Sequence, residues 1–100
     1  MIRCVIDKNR FSMQVSGHAG YGPAGSDIVC AAASILTATA QVELYRITGF
    51  QAEDDGETVD MICTPTPAEC GRVMQAMDII ANGFRLLAGQ YPENVSVTIK

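Results

Sequence analysis

The apolar residues of this chain switch between two spacings along its length, and the switches limit the fold more than any single residue does. Ile2 to Ile6 and Phe11 to Val15 alternate apolar with other residues, most cleanly at Phe11, Met13 and Val15. Alternation puts one set of side chains on one face of a strand, so the two runs around Asp7-Lys8-Asn9-Arg10 predict a β-hairpin. After a glycine-rich stretch from Gly17 to Gly25, Ile28, Ala31, Ile35, Ala38, Val42 and Tyr45 recur at helical spacing, with Gly49 as the closing residue. A second stripe, Val29, Ala32, Leu36 and Ala40, makes more than one face of this helix apolar, which predicts cover on two sides.

Alternation returns in Phe50 to Glu53 and Thr58 to Cys63, joined by Asp54-Asp55-Gly56-Glu57, where Asp-Gly signals a turn. Thr66, Pro67 and Glu69 then have the form of a helix start: a capping hydroxyl, a first-turn proline and a carboxylate that reaches back. Val73, Met77, Ile80, Phe84 and Leu87 supply its buried stripe, Gly89 and Pro92 stop it, and Val95, Val97 and Ile99 alternate as a last strand. The predicted order is ββαββαβ, an α+β fold with two helices packed on a mainly antiparallel sheet. With 100 residues, and neither repeat nor linker, residues 1–100 make one domain.

Composition narrows the function. The net charge of −4 lacks the clustered Lys and Arg that phosphate backbones require, so nucleic acid is not an expected partner. Glu53, Asp54, Asp55, Glu57 and Asp60 crowd one segment that reads as a solvated hairpin tip or a surface for a basic partner. Neither an export signal nor an apolar run of the ~20 residues a span needs is evident, so the expectation is a cytoplasmic protein without a membrane partner. Cys4, Cys30, Cys63 and Cys70 show no CxxC spacing beside the single histidine, and no metal or cofactor is expected. In a reducing compartment each cysteine is a buried hydrophobe or a reactive thiol. Hydrophobic residues make up 48% of so small a chain, which favours burial against a second copy.

Chemistry concentrates in Ser16 to Ser34, SGHAGYGPAGSDIVCAAAS, with His18 at a strand end and Cys30 in the first turn of a helix. Free amides and the positive end of the helix dipole favour a thiolate there and offer donors to an oxyanion. A loop as rich in glycine as this one can fold His18 back to Cys30, giving the base and nucleophile of acyl transfer. The same residue types also fit a buried small cysteine with an incidental histidine. Asp27 is a helix cap or an orienting partner for His18, and Ser34, one turn beyond Cys30, bonds in the site or to its own helix. Gly17, Gly20, Gly22 and Gly25 suit a mobile loop over a peptide; a phosphate cradle is the rival, without the lysine of a P-loop. Cys4, Cys63 and Cys70 fall on strand or helix patterns and read as buried.

The run GHAGYGPAGSDIVCAAAS resembles the signature of the ribosomal-processing cysteine protease family, Prp, and chain length and element order resemble that family throughout. The resemblance implies an endopeptidase that removes the N-terminal extension of a large-subunit ribosomal protein, with His18 and Cys30 as the catalytic pair and Asp27 and Ser34 as further motif residues. It also implies a homodimer, a flexible loop before the nucleophile and a groove for hydrophobic side chains. The competing expectation is a non-enzymatic ribosome-assembly or peptide-binding module that uses the glycine-rich loop.

Overall fold

A computed structural model describes residues Met1 to Lys100. The elements are β1 (Ile2–Asp7), β2 (Ser12–Ser16), α1 (Ile28–Ile47), β3 (Gly49–Asp54), β4 (Thr58–Thr64), α2 (Cys70–Gln90) and β5 (Val95–Ile99). This is the expected α+β order. The five strands form one sheet in the order β3-β4-β2-β1-β5, antiparallel except where β5 joins β1.

Register explains which strand face is buried. Ile6 stands opposite Ile99 on one side and Met13 on the other; Met13 faces Met61, and Met61 faces Ala52. This row as far as Met61, with Cys4, Cys63 and Val95, lies under Val29, Leu44, Val73, Met77 and Phe84 of the helices, while Ala52 at the sheet edge is exposed. Phe84 is fully buried, and a side chain of that size contributes about 1.5–3 kcal/mol when removed from water. The opposite sheet face carries Gln14, Gln51, Glu53, Asp60 and Thr98, all exposed, as alternation requires.

Local starts and stops differ from the sequence expectations in instructive ways. Strand β2 begins at Ser12 because Phe11 has φ 53°, in the left-handed region, while its carbonyl takes the Cys63 N–H at 2.9 Å. Helix α1 ends at Ile47 with an extended Thr48, so Gly49 opens β3 rather than closing the helix. Regular helix in α2 begins at Cys70, after a turn in which the Thr66 N–H donates to Glu69 Oε1 at 2.9 Å. The returning carboxylate is present one turn earlier than the helix proper.

The two stripes of α1 have different fates. Val29, Ala33, Thr37, Ala40, Leu44 and Ile47 are buried, whereas Ile28, Ile35, Val42 and Tyr45 are 59–73% exposed. Nothing in the chain covers that outer stripe. The 20-residue helix is also long and apolar enough to cross a membrane by length and composition, which corrects the expectation that no apolar run reaches that length. Its inward face packs into the core beside α2, as the helix of a two-layer domain does.

Candidate active site

The site forms where the sheet runs out. Beyond Ser16, Gly17 turns with φ 87°, and its N–H donates to the Glu57 carbonyl at 3.1 Å, tying the end of β2 to the β3–β4 hairpin. Only glycine suits this position: φ is positive, and an added Cβ would collide with the Met1 carbonyl. His18 therefore leaves the sheet beside the hairpin tip, with Nε2 3.2 Å from Glu57 Oε1 and 3.1 Å from Oε2.

Across the loop, Asp27 starts α1. Its Oδ1 accepts from the N–H groups of Val29 (2.9 Å) and Cys30 (3.0 Å), and its Oδ2 accepts from those of Tyr21 and Gly22, both at 3.0 Å. Burial pushes the Asp27 carboxyl up, but the four amide donors of Cys30, Gly22, Tyr21 and Val29 outweigh it and hold the carboxyl below its ordinary value. One carboxylate thus caps the helix and anchors the loop, with no bond to His18. Two further ties hold the loop down: Asn94 donates to the Ala19 carbonyl at 2.9 Å, and Tyr21 packs edge-on against Tyr91 with ring centroids 5.1 Å apart. Gly20 and Gly25 take positive φ and Gly22 does not. Any lid motion of this loop has to break the Asp27, Asn94 and Tyr91 contacts.

Cys30 is half-buried on the third residue of α1, and its Sγ accepts from the Ala19 N–H at 3.3 Å. Helix-start amides were the expected oxyanion donors. Those of Val29 and Cys30 are occupied by Asp27, so the donor that faces the sulfur comes from the loop. Cys30, His18 and Ser34 line one cleft of about 380 Å³, together with Val15 of β2, Thr37, Ala38 and Gln41 of α1, and Asp54, Glu57 and Val59 of the β3–β4 hairpin. Its walls mix small apolar with polar side chains rather than forming a wholly greasy groove. His18 and Cys30 share the cleft without a hydrogen bond between them. The exposed Ser34 lines it, whereas Thr37 and Thr39 donate to their own helix carbonyls.

The other thiols are shut away or differently engaged. Burial pushes Cys4 up to about 12 and raises Cys63. Half-buried Cys70 donates to the Thr66 carbonyl at 3.4 Å. No three His, Cys, Asp or Glu side chains converge as metal ligands would. Sequence reasoning missed Glu57, which it merged with the acidic tip. The available signal was its place directly after Asp55-Gly56, since a hairpin turn brings the residue beyond it level with the end of the neighbouring strand.

Comparisons with known proteins bear on the fold and the family. No curated protein matches the chain significantly. The ribosomal processing protease Prp from S. aureus, solved with a covalently linked product peptide, shares 24% identity over 100% of both chains, with a TM-score of 0.79. The same protease with a substrate peptide gives 21% identity and a TM-score of 0.74, again over 100% of both. SMU.848 from Streptococcus mutans is 26% identical over 98% of this chain and 90% of its own, with a TM-score of 0.69. The two S. aureus likenesses carry the fold; the profile of the family described as cysteine protease Prp matches residues 1–96, and on that match the chain belongs to the Prp family of cysteine proteases.

Proposed function

We propose that this chain is a cysteine endopeptidase acting in the cytoplasm, which removes the N-terminal extension of a large-subunit ribosomal protein, with Cys30 as nucleophile and His18 as base and acid. The observation that carries the reading is the shared cleft: a half-buried sulfur with an amide donor aimed at it, and the only imidazole of the chain lining the same cleft. His18 takes the thiol proton, and the Cys30 sulfur bonds to the scissile carbonyl carbon. As the tetrahedral intermediate collapses, the C–N bond breaks and the imidazolium gives its proton to the departing amine. Water, deprotonated by His18, then adds to the thioester and expels the sulfur, leaving a carboxyl group and the regenerated thiol. The Ala19 amide, which donates to the sulfur in this structure, is the donor proposed to meet the oxyanion that develops on the carbon bonded to that sulfur. Asp27 supports both parts, since it fixes the head of α1 and the loop that carries Ala19.

The acidic hairpin tip beside the cleft suits a basic substrate such as a ribosomal protein. A homodimer belongs to the same reading, because a second copy would cover Ile28, Ile35, Val42 and Tyr45; a monomeric mass by sedimentation at working concentration removes that part. Incubation with the extended ribosomal-protein precursor, followed by mass measurement, tests the activity. Wild type is expected to shorten the precursor and Cys30→Ala to leave it whole while staying folded. Cleavage by Cys30→Ala, or stable binding of the precursor with no cut by wild type, would refute the protease and favour a peptide-binding module.

A further inference from the structure

We propose that Glu57 is a positioning residue for His18: its carboxylate holds the Nε2 proton and leaves Nδ1 as the nitrogen that takes the Cys30 proton, an inference that rests on the protease reading. The tautomer follows from chemistry. An ionised carboxylate only accepts, and both oxygens of Glu57 lie within 3.2 Å of Nε2, so Nε2 carries the hydrogen. In the neutral ring the lone pair is then on Nδ1. That is also the nitrogen nearer the main chain, and the sulfur sits 3.3 Å from the Ala19 nitrogen, the amide that directly follows His18. Nucleophile on one imidazole nitrogen and orienting group on the other is an arrangement hydrolases reach on unrelated folds.

Glu57 is itself held for this task. Its carbonyl takes the Gly17 N–H at 3.1 Å, and its own N–H and that of Thr58 donate to Asp55 Oδ1 at 2.9 and 2.7 Å. The backbone joining His18 to its partner is therefore fixed on both sides. With side chains 67% and 69% exposed, the contact adds little to stability, and orientation is the effect left to it. A substrate lying in the cleft would exclude water from the pair and strengthen it.

Glu57→Ala and Glu57→Gln are compared with wild type, Cys30→Ala and His18→Ala in precursor cleavage, and the rate of iodoacetamide modification at Cys30 is read by peptide mass. Glu57→Ala is expected to lower kcat about 10- to 100-fold with KM nearly unchanged, less than the ~10⁴ that loss of a buried triad carboxylate costs, and to slow Cys30 alkylation. Glu57→Gln, whose carbonyl oxygen can still accept from Nε2–H, is expected to recover most of the loss. Wild-type kcat in both variants, or faster cleavage by Glu57→Ala, overturns the proposal while the protease reading stands. If wild type does not cut at all, that reading falls. Alkylation then decides for Glu57: equal slowing in His18→Ala and Glu57→Ala supports the coupling, and an unchanged rate in Glu57→Ala overturns it.

Discussion

Both helices of this protein begin beside a carboxylate and carry a cysteine in their first turn, yet the two thiols differ in kind. At the head of α1, Asp27 takes four amide donors, and the sulfur of Cys30 accepts from a fifth in an open cleft. At the head of α2, Glu69 accepts from the Thr66 N–H and the Thr48 hydroxyl, and Cys70 donates its thiol hydrogen to the Thr66 carbonyl. One sulfur meets an amide donor in a cleft that also holds the imidazole; the other gives its hydrogen to a main-chain carbonyl with no base beside it. A helix N-terminus alone therefore does not make a nucleophile: the loop packed against it decides.

The largest expected contrast is chemical. Iodoacetamide at neutral pH should modify Cys30 at least about tenfold faster than Cys70, since Cys30 opens to the cleft with the imidazole that takes its proton, whereas the Cys70 thiol is tied to the Thr66 carbonyl. Peptide mapping measures both in one sample, and equal rates would break the distinction between the helix heads. Cys4 and Cys63 should stay unmodified until the protein unfolds, because both are buried.

A smaller contrast is expected in stability. Asp27→Ala removes the α1 cap and the anchor of the loop together, so it should lower Tm by several degrees and by more than Glu69→Ala, whose carboxylate serves one turn and one hydroxyl. Thermal melts followed by circular dichroism measure this, and an equal or larger loss in Glu69→Ala would show that the loop anchor contributes nothing.

The smallest effect is in acid. At Asp27, burial pulls upward and four amide donors win; at Asp55, the Glu57 and Thr58 amides lead; at Glu69, the Thr66 amide does; all three carboxyls lie below their ordinary values of 3.8, 3.8 and 4.5. A carboxyl lowered by folding contributes stability that is fully present above its unfolded value and is lost as pH falls through the folded one. Tm should thus be level above about pH 5 with respect to these groups and fall below about pH 4. Asp27→Asn, which cannot ionise, should flatten part of that decline; an unaltered acid slope would mean that the head of α1 plays no part in it.

Much of the architecture was legible because burial enforces periodicity. Val59, Met61 and Cys63 had to share a face once one side of β4 was covered, and Val73, Met77, Ile80 and Phe84 had to line one side of α2. The stripes of α1 were legible as apolar but not as inner or outer. Ile28, Ile35 and Val42 have the same spacing as buried residues, and only the position of α2 and the sheet selects the face with Ala33, Ala40 and Leu44. At the site, His18, Cys30 and Asp27 stood out because a lone imidazole and a helix-start thiol are rare chemistry. Glu57, the Ala19 amide and Asn94 did not, since an exposed glutamate, a main-chain N–H and an asparagine near the C-terminus carry no local pattern.

By itself the sequence determined the alternation of strands and helices, the placing of a cysteine at the head of α1, and the glycine that lets the chain turn after β2, because each depends on residues close together in the chain. The tertiary structure decided which amides the Asp27 carboxylate takes, which donor the sulfur meets, and which carboxylate holds the imidazole. Those partners come from the loop, the first turn of α1 and the β3–β4 hairpin, and a sheet that orders its strands β3-β4-β2-β1-β5 sets that hairpin beside the end of β2, where the loop begins.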